Sequence, residues 1–424
     1  MLLAAGWWWA PLFGAGRWLL LLLTVLMVAD VLLLFMRRGI EARRSVGDRF
    51  SNGDDNEVRL LLDNSYPFAV SAEVIDEIPH VFQRRDVLFR CRLSAPPAPQ
   101  ASLTITYRLR PTRRGVYGFG LIRVLVVSPL GLVRRRISCG AAQDVKVYPS
   151  YLRLRQFEFL AIHQQLREHG IKRIRHIGHH TEFEQIKDYV VGDDYRTINW
   201  RATARRHQLM VNVYQDERSQ QIFNLIDKGR PMQQAFHGMT LLDYAINTSL
   251  HLSYVAMERQ DRAGLCTFST QTDTFVPASR QSGHMQTLLE ALYAQQMDFG
   301  ETDFSALCVH LNKHVQKRSL FILYTNFVGM VSLRRQLPFL AQLARRHRLL
   351  VVFFEDVQLR DYIATPACDT EDEFRHVIAE KFAYEQRLMV TTLKQHGIYA
   401  LLTTPEALSV NVINKYIEIR QRQP

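Results

Sequence analysis

The chain predicts an α/β protein: a doubly wound parallel sheet preceded by an antiparallel β-sandwich and an N-terminal transmembrane anchor. Three observations carry this expectation. An apolar run occupies residues 18 to 36, short alternating runs fill residues 47 to 150, and buried-strand and helix patterns alternate from residue 219 to 424. The 424 residues suffice for two or three domains, and 47% hydrophobic against 22% charged residues fits a folded chain rather than a disordered one. The expected boundaries are 1–40 for the anchor, 47–150 for the sandwich, 151–218 for a basic connector with a charged segment, and 219–424 for the α/β domain.

The run WLLLLLTVLMVADVLLLFM at 18 to 36 is interrupted only by Thr24 and Asp30 and matches the roughly 20 residues that cross a bilayer. Residues 2 to 16 are also apolar but shorter and broken by Pro11. They form either a first short span or an interfacial segment with Trp7, Trp8 and Trp9 at the headgroups. A cleavable signal would carry its basic residues before the apolar core; here Arg37, Arg38, Arg43 and Arg44 follow it. The positive-inside rule then places the remainder in the cytoplasm, for one span or for a hairpin turning at Arg17. Asp30 is expected to face a neighbouring span rather than to act within the membrane.

From residue 47 to 150, runs at 57–64, 68–76, 86–93, 101–110, 121–127, 131–138 and 145–148 alternate apolar and polar residues between Pro, Gly, Asn and Asp clusters. That spacing predicts about seven strands of a sandwich. Gly115, Gly118 and Gly120 lack phosphate-loop spacing and a following helix, and are expected in a tight turn. Residues 151 to 177 are helical in period and basic, as a solvated connector would be, although such a stretch near an anchor also suits acidic lipid. His176, His179 and His180 invite a metal reading, but neighbouring histidines on an extended segment point to opposite sides, so solvated or hydrogen-bonded rings are expected.

The segment 178 to 210 is neither a plain helix nor a plain strand. Glu182, Glu184, Asp188, Gly192, Asp193 and Asp194 are followed by Arg196, Trp200, Arg201, Arg205 and Arg206. Carboxylates at 193 and 194 facing guanidinium groups at 196, 201 and 205 predict bidentate pairs that brace the segment around Trp200. The run Gly192-Asp193-Asp194-Tyr195-Arg196-Thr197-Ile198-Asn199-Trp200, with Ala202-Thr203-Ala204-Arg205 and Leu209-Met210-Val211, resembles the signature of the bacterial family known as domain of unknown function 58. The resemblance implies a membrane-anchored protein with two spans, which favours the hairpin, and a von Willebrand factor A-like domain after the signature. It also implies a MoxR-type AAA+ ATPase as partner at the bacterial inner membrane.

Beyond residue 219, strand-like runs at 222–227, 265–269, 319–325, 349–355 and 397–404 alternate with helical runs at 240–258, 284–297, 304–316, 372–395 and 405–420. Continuous apolar strands between helices belong to parallel sheets covered on both faces, where ligands sit beyond the carboxyl ends of the strands. Under the von Willebrand resemblance, the first strand should end in Asp-x-Ser-x-Ser, with a later threonine and aspartate completing a Mg²⁺ site. This chain has Asp227-Lys228-Gly229-Arg230-Pro231, with Thr302 and Asn326 in the later loops. One carboxylate beside Lys228 and Arg230 suits magnesium poorly. A vacant, degenerate site serving as a contact surface is the expectation, with no cofactor.

The net charge of +12 permits anionic partners without choosing among them. The five scattered cysteines lack CxxC spacing and point to reduced thiols rather than to a disulfide framework or zinc. An acidic cluster of Glu182, Glu184, Asp188, Asp193 and Asp194 suggests a metal-assisted hydrolase or nuclease as the alternative. Nearby arginines and lysines neutralise those acids, and no nucleophile elbow or phosphate loop occurs. A non-enzymatic adaptor is therefore expected, bound to the bilayer and to a protein partner, with neither nucleic acid nor a small-molecule substrate.

Overall fold

The computed structural model describes residues 10–36, 39–82, 84, 88–154, 182–191, 193, 195–215, 219–367 and 369–422. They divide into two compact units, Met1–Tyr148 and Pro149–Pro424. The basic run from 155 with His176, His179 and His180, and the side chains of Glu182 and Glu184, lie outside the described residues.

The first unit opens with helix α1 (Ala10–Phe35). Its stretch Gly16–Phe35 has a mean hydropathy of 2.7 and is long and apolar enough to cross a membrane. The helix runs through Arg17 without a turn, which corrects the expected hairpin there. Asp30 and Leu34, near the C-terminal end, are buried. Asp30 Oδ2 accepts from Ser128 Oγ at 2.5 Å, and the Leu34 carbonyl accepts from the Tyr66 hydroxyl at 2.9 Å. Asp30 thus faces the loop after the strand Ile122–Val127 in its own unit, not a neighbouring span.

Ten strands follow: β1 (Ile40–Val46), β2 (Arg49–Ser51), β3 (Asn56–Asn64), β4 (Val70–Asp76), β5 (Leu88–Leu93), β6 (Ser102–Leu109), β7 (Gly115–Phe119), β8 (Ile122–Val127), β9 (Arg134–Cys139) and β10 (Gln143–Tyr148). They form three sheets in the orders β1-β3-β6, β2-β10-β7 and β5-β4-β8-β9 around one apolar core, antiparallel except for the β2–β10 pair. Strict alternation builds the faces: Val58, Leu60 and Leu62 of β3 point inward. The glycine run expected as a turn is strand β7, paired to β10 from Phe119↔Gln143 to Gly115↔Val147, because Tyr117 and Phe119 turn toward the core while Val116 and Gly118 face out. Arg44, expected as a flanking charge of the anchor, is buried on β1. Its Nε donates to Asp76 Oδ2 at 3.2 Å and its guanidinium to the Gly120 carbonyl at 2.9 Å.

In the second unit β11 (Glu182–Asp188) and β12 (Met210–Gln215) form a separate antiparallel pair, with the short helix α2 (Trp200–Arg206) between them. Next come β13 (Gln221–Asp227), α3 (Leu241–Glu258), β14 (Arg262–Phe268), β15 (Thr272–Ser279), α4 (His284–Tyr293) and α5 (Phe304–His314). The chain continues with β16 (Leu320–Tyr324), α6 (Met330–Arg346), β17 (Arg348–Phe354), α7 (Val357–Ala364), α8 (Thr370–Gln395), β18 (Tyr399–Thr403) and α9 (Leu408–Gln421). One six-stranded sheet has the order β15-β14-β13-β16-β17-β18, parallel apart from edge strand β15. Both faces are covered. Ile222 and Ile226 of β13 join a core with α3, α4 and α9, whereas Phe223 and Leu225 join one with α5, α6 and α8. This double burial is why the strands read as unbroken apolar runs.

Candidate functional site

β13 lies where the strand order reverses, since β14 pairs on one side of it and β16 on the other; ligands of doubly wound sheets bind beyond such a point. Its apolar run ends at the buried Asp227. Asp227 Oδ1 accepts from Gly229 N at 2.8 Å and Thr302 Oγ1 at 2.7 Å, and Oδ2 accepts from Thr325 Oγ1 at 2.7 Å. Gly229 is required for this closure, because a Cβ there would stand 2.2 Å from Thr302 Oγ1. Burial holds the Asp227 carboxyl above its ordinary value, opposed by the bonds from Thr325, Gly229 and Thr302.

The donor set does not fit a magnesium ion. Among the described residues, the one carboxylate that ends β13 already accepts from three donors, and Thr302 and Thr325 add only neutral oxygens, too little charge for an ion that sheds water reluctantly. Thr325, rather than Asn326, reaches Asp227; Asn326 is half-buried and lines the neighbouring cleft. Thr325 was legible in principle as the hydroxyl next to the last residue of the apolar strand ending at Tyr324. Lys228, expected beside Arg230, turns instead to Asp273 on β15. No group of three or more His, Cys, Asp or Glu stands together as metal ligands among the described residues.

Beside Asp227 opens a cleft of about 860 Å³. Arg230, Glu301, Arg335, Gln336, Asp356 and Phe382 are among its walls. Arg335 and Glu301 pair at 3.6 Å, and Gln234 Nε2 donates to Asp356 Oδ2 at 3.0 Å. Arg230 is exposed, and its backbone N–H is fixed by the Gly300 carbonyl at 3.1 Å. Phe382 is exposed along α8. The cleft therefore offers a cationic side chain and apolar surface around a floor whose own carboxylate is engaged.

Among the described residues, Asp193 is held otherwise than expected. Asp193 Oδ1 accepts from Lys187 Nζ at 2.8 Å and Oδ2 from Val190 N at 3.0 Å, and these bonds hold its carboxyl below the usual range. Its cationic partner is a lysine on β11, not Arg196, Arg201 or Arg205. Arg196 lies over the Tyr195 ring at 5.7 Å. Arg201 and Arg205 are exposed on α2, Asp188 is exposed on β11, and Trp200 is 70% exposed rather than packed. Gly192 and Asp194 lie outside the described residues. What fixes the segment is a set of amides. Asn199 caps α2 by accepting from Ala202 N at 3.0 Å, and its side chain donates to Asn212 Oδ1 on β12 at 2.8 Å. The described acids are not gathered into a catalytic cluster.

Residues 185–361 match the family described as "Protein of unknown function DUF58". The "Uncharacterized protein YeaD" of Bacillus subtilis (strain 168) is 26% identical over 280 residues, covering 65% of this chain and 67% of that protein. Among solved structures, the conserved hypothetical protein BatB from Bacteroides thetaiotaomicron is matched at 10% identity over 48% of this chain and 100% of that one, with a TM-score of 0.33. The CARDB domain of a Pyrococcus furiosus protein is matched at 16% identity over 26% of this chain and 93% of that one, with a TM-score of 0.17.

Proposed function

The chain belongs to the DUF58 family, and on that premise we propose that it is a membrane-anchored, cytoplasm-facing adaptor whose second unit is a von Willebrand A-like recognition module. The observation that carries this reading is the cleft beside Asp227. It sits at the sheet's reversal point, is large enough for several side chains of a polypeptide, and has the exposed Arg230, three residues past Asp227, in its lining. A carboxylate of a partner protein would meet Arg230 directly, with Phe382 supplying apolar contact. The order β15-β14-β13-β16-β17-β18 with one antiparallel edge strand supports the von Willebrand A-like assignment. The apolar stretch Gly16–Phe35 supports the anchor. A MoxR-type AAA+ ATPase is the partner class proposed, carried over from the resemblance of the signature.

The test is crosslinked pulldown of the full chain from native membranes, comparing the wild type with Arg230→Glu. Charge reversal at an exposed position leaves the fold intact and should remove one protein from the captured set. A captured set indifferent to Arg230→Glu and to a bulky Gln336→Trp in the cleft would overturn the proposal.

A further inference from the structure

The arch between β11 and β12 carries apolar side chains that the fold holds out in solvent. Val191 is 95% exposed, Val190 61%, Trp200 70% and Tyr195 69%. They are not on a loose end. The Ile198 bridge to Val211, the bond from Asn199 N to the Met210 carbonyl at 2.8 Å, and the bond from Met210 N to Thr203 Oγ1 at 3.1 Å tie the arch to β12. His207 closes α2 in the left-handed conformation, with φ 56°. Large apolar groups fixed outward are a binding surface rather than a packing failure.

The charge on the arch is polarised. Asp188, Asp193 and Asp194 come first in the chain, and Lys187 occupies Asp193. Arg201, Arg205 and Arg206 follow on α2, all exposed, and no ion pair joins them to a described carboxylate. Residues 201 and 205 are one helical turn apart and share a face. A projecting Val-Val pair, two aromatic rings and three arginines match the chemistry of a bilayer interface. Apolar tips enter the acyl boundary, Trp and Tyr settle at the headgroups, and arginines pair with anionic phosphates. A protein partner would instead have to offer an apolar socket shaped to the tip. The chain also carries an apolar helix of membrane-spanning length, which would keep such a surface near lipid at high effective concentration.

We propose that Val190, Val191, Tyr195 and Trp200, with Arg201, Arg205 and Arg206, dock onto an anionic bilayer surface. This surface is separate from the cleft at Arg230, so either proposal can fail alone.

Trp200 reports directly, because the other tryptophans are Trp7, Trp8, Trp9 and Trp18. The full chain with those four changed to Phe is placed in nanodiscs of phosphatidylcholine alone or mixed with phosphatidylglycerol, each containing brominated phosphatidylcholine. Expected is quenching of Trp200 in the anionic discs, little in the neutral ones, and loss of quenching at high salt. Arg201→Gln/Arg205→Gln/Arg206→Gln should weaken docking by about a hundredfold, since each arginine near an anionic surface is worth about fivefold. Val191→Glu should abolish the quenching while amide exchange of β11, β12 and α2 stays unchanged, so that misfolding of the arch is separable. Absence of quenching in anionic discs overturns the proposal, as does quenching equal in both lipids. Protection of residues 189–207 that appears only on adding an acidic membrane protein also overturns it, in favour of a protein surface.

Discussion

Two buried acids differ in who meets them. Asp76 faces a permanent charge, Arg44, and also accepts from Tyr107. Removing one member of a buried pair strands the other, so Asp76→Ala should cost about 3–5 kcal/mol and lower the thermal midpoint sharply, whereas Arg44→Met with Asp76→Leu should cost much less. Asp227 meets only neutral donors, and burial raises its pKa above the ordinary 3.8. The folded state then keeps a proton at pH values where the unfolded chain has released it. Asp227 therefore costs nothing below about pH 3.8 and destabilises progressively as pH rises through its elevated folded value. In Asp227→Asn that decline in stability with rising pH should vanish from denaturant titrations at a series of pH values. Added magnesium should leave the wild-type midpoint unmoved; a magnesium-dependent rise absent from Asp227→Asn would restore the ion to the site.

At the scale of elements, the buried parallel strands and the long helices were legible because continuous apolar runs and 3.6-residue periods are strong local signals. What escaped had conflicting ones. α6 contains Pro338, a residue that normally ends a helix, yet Pro338 is exposed and Leu333, Leu340 and Leu343 still bury one stripe. β15 is a half-exposed edge strand with Pro277 inside it, as edge strands tolerate. In the signature arch the partner of Asp193 differs from the one sequence proximity suggests: arginines lie near it in the chain, and the β11–β12 fold gives it Lys187. The arch rests on Asn199, which both caps α2 and reaches β12. Asn199→Ala should destabilise the arch by about 1 kcal/mol, as loss of a cap does. Amide exchange should accelerate for residues 200–206 and leave β13 to β18 unchanged, because the β11–β12 pair is a sheet of its own.

At the scale of the molecule, the first unit bears on the proposed anchor. A helix of 26 residues is longer than a bilayer requires, at about 1.5 Å per residue. Its surplus is used at the C-terminal end, where Asp30 and Leu34 are buried against Ser128, just past β8, and Tyr66, in the connection between β3 and β4. The membrane boundary should accordingly fall before Asp30, sparing that carboxylate the cost of hydrocarbon. Arg44 no longer counts toward the positive-inside bias, since it is buried against Asp76, so the orientation rests more heavily on Arg37, Arg38 and Arg43. This can be tested in a chain whose five native cysteines are replaced. Met36, 79% exposed just past the helix, should as Met36→Cys react with a membrane-impermeant maleimide in inverted vesicles and not in intact spheroplasts. Leu22→Cys, deep in the apolar stretch, should react in neither. Labelling of Met36→Cys from the outside would place both units beyond the membrane, away from any cytoplasmic ATPase, and the adaptor reading would fall with the orientation.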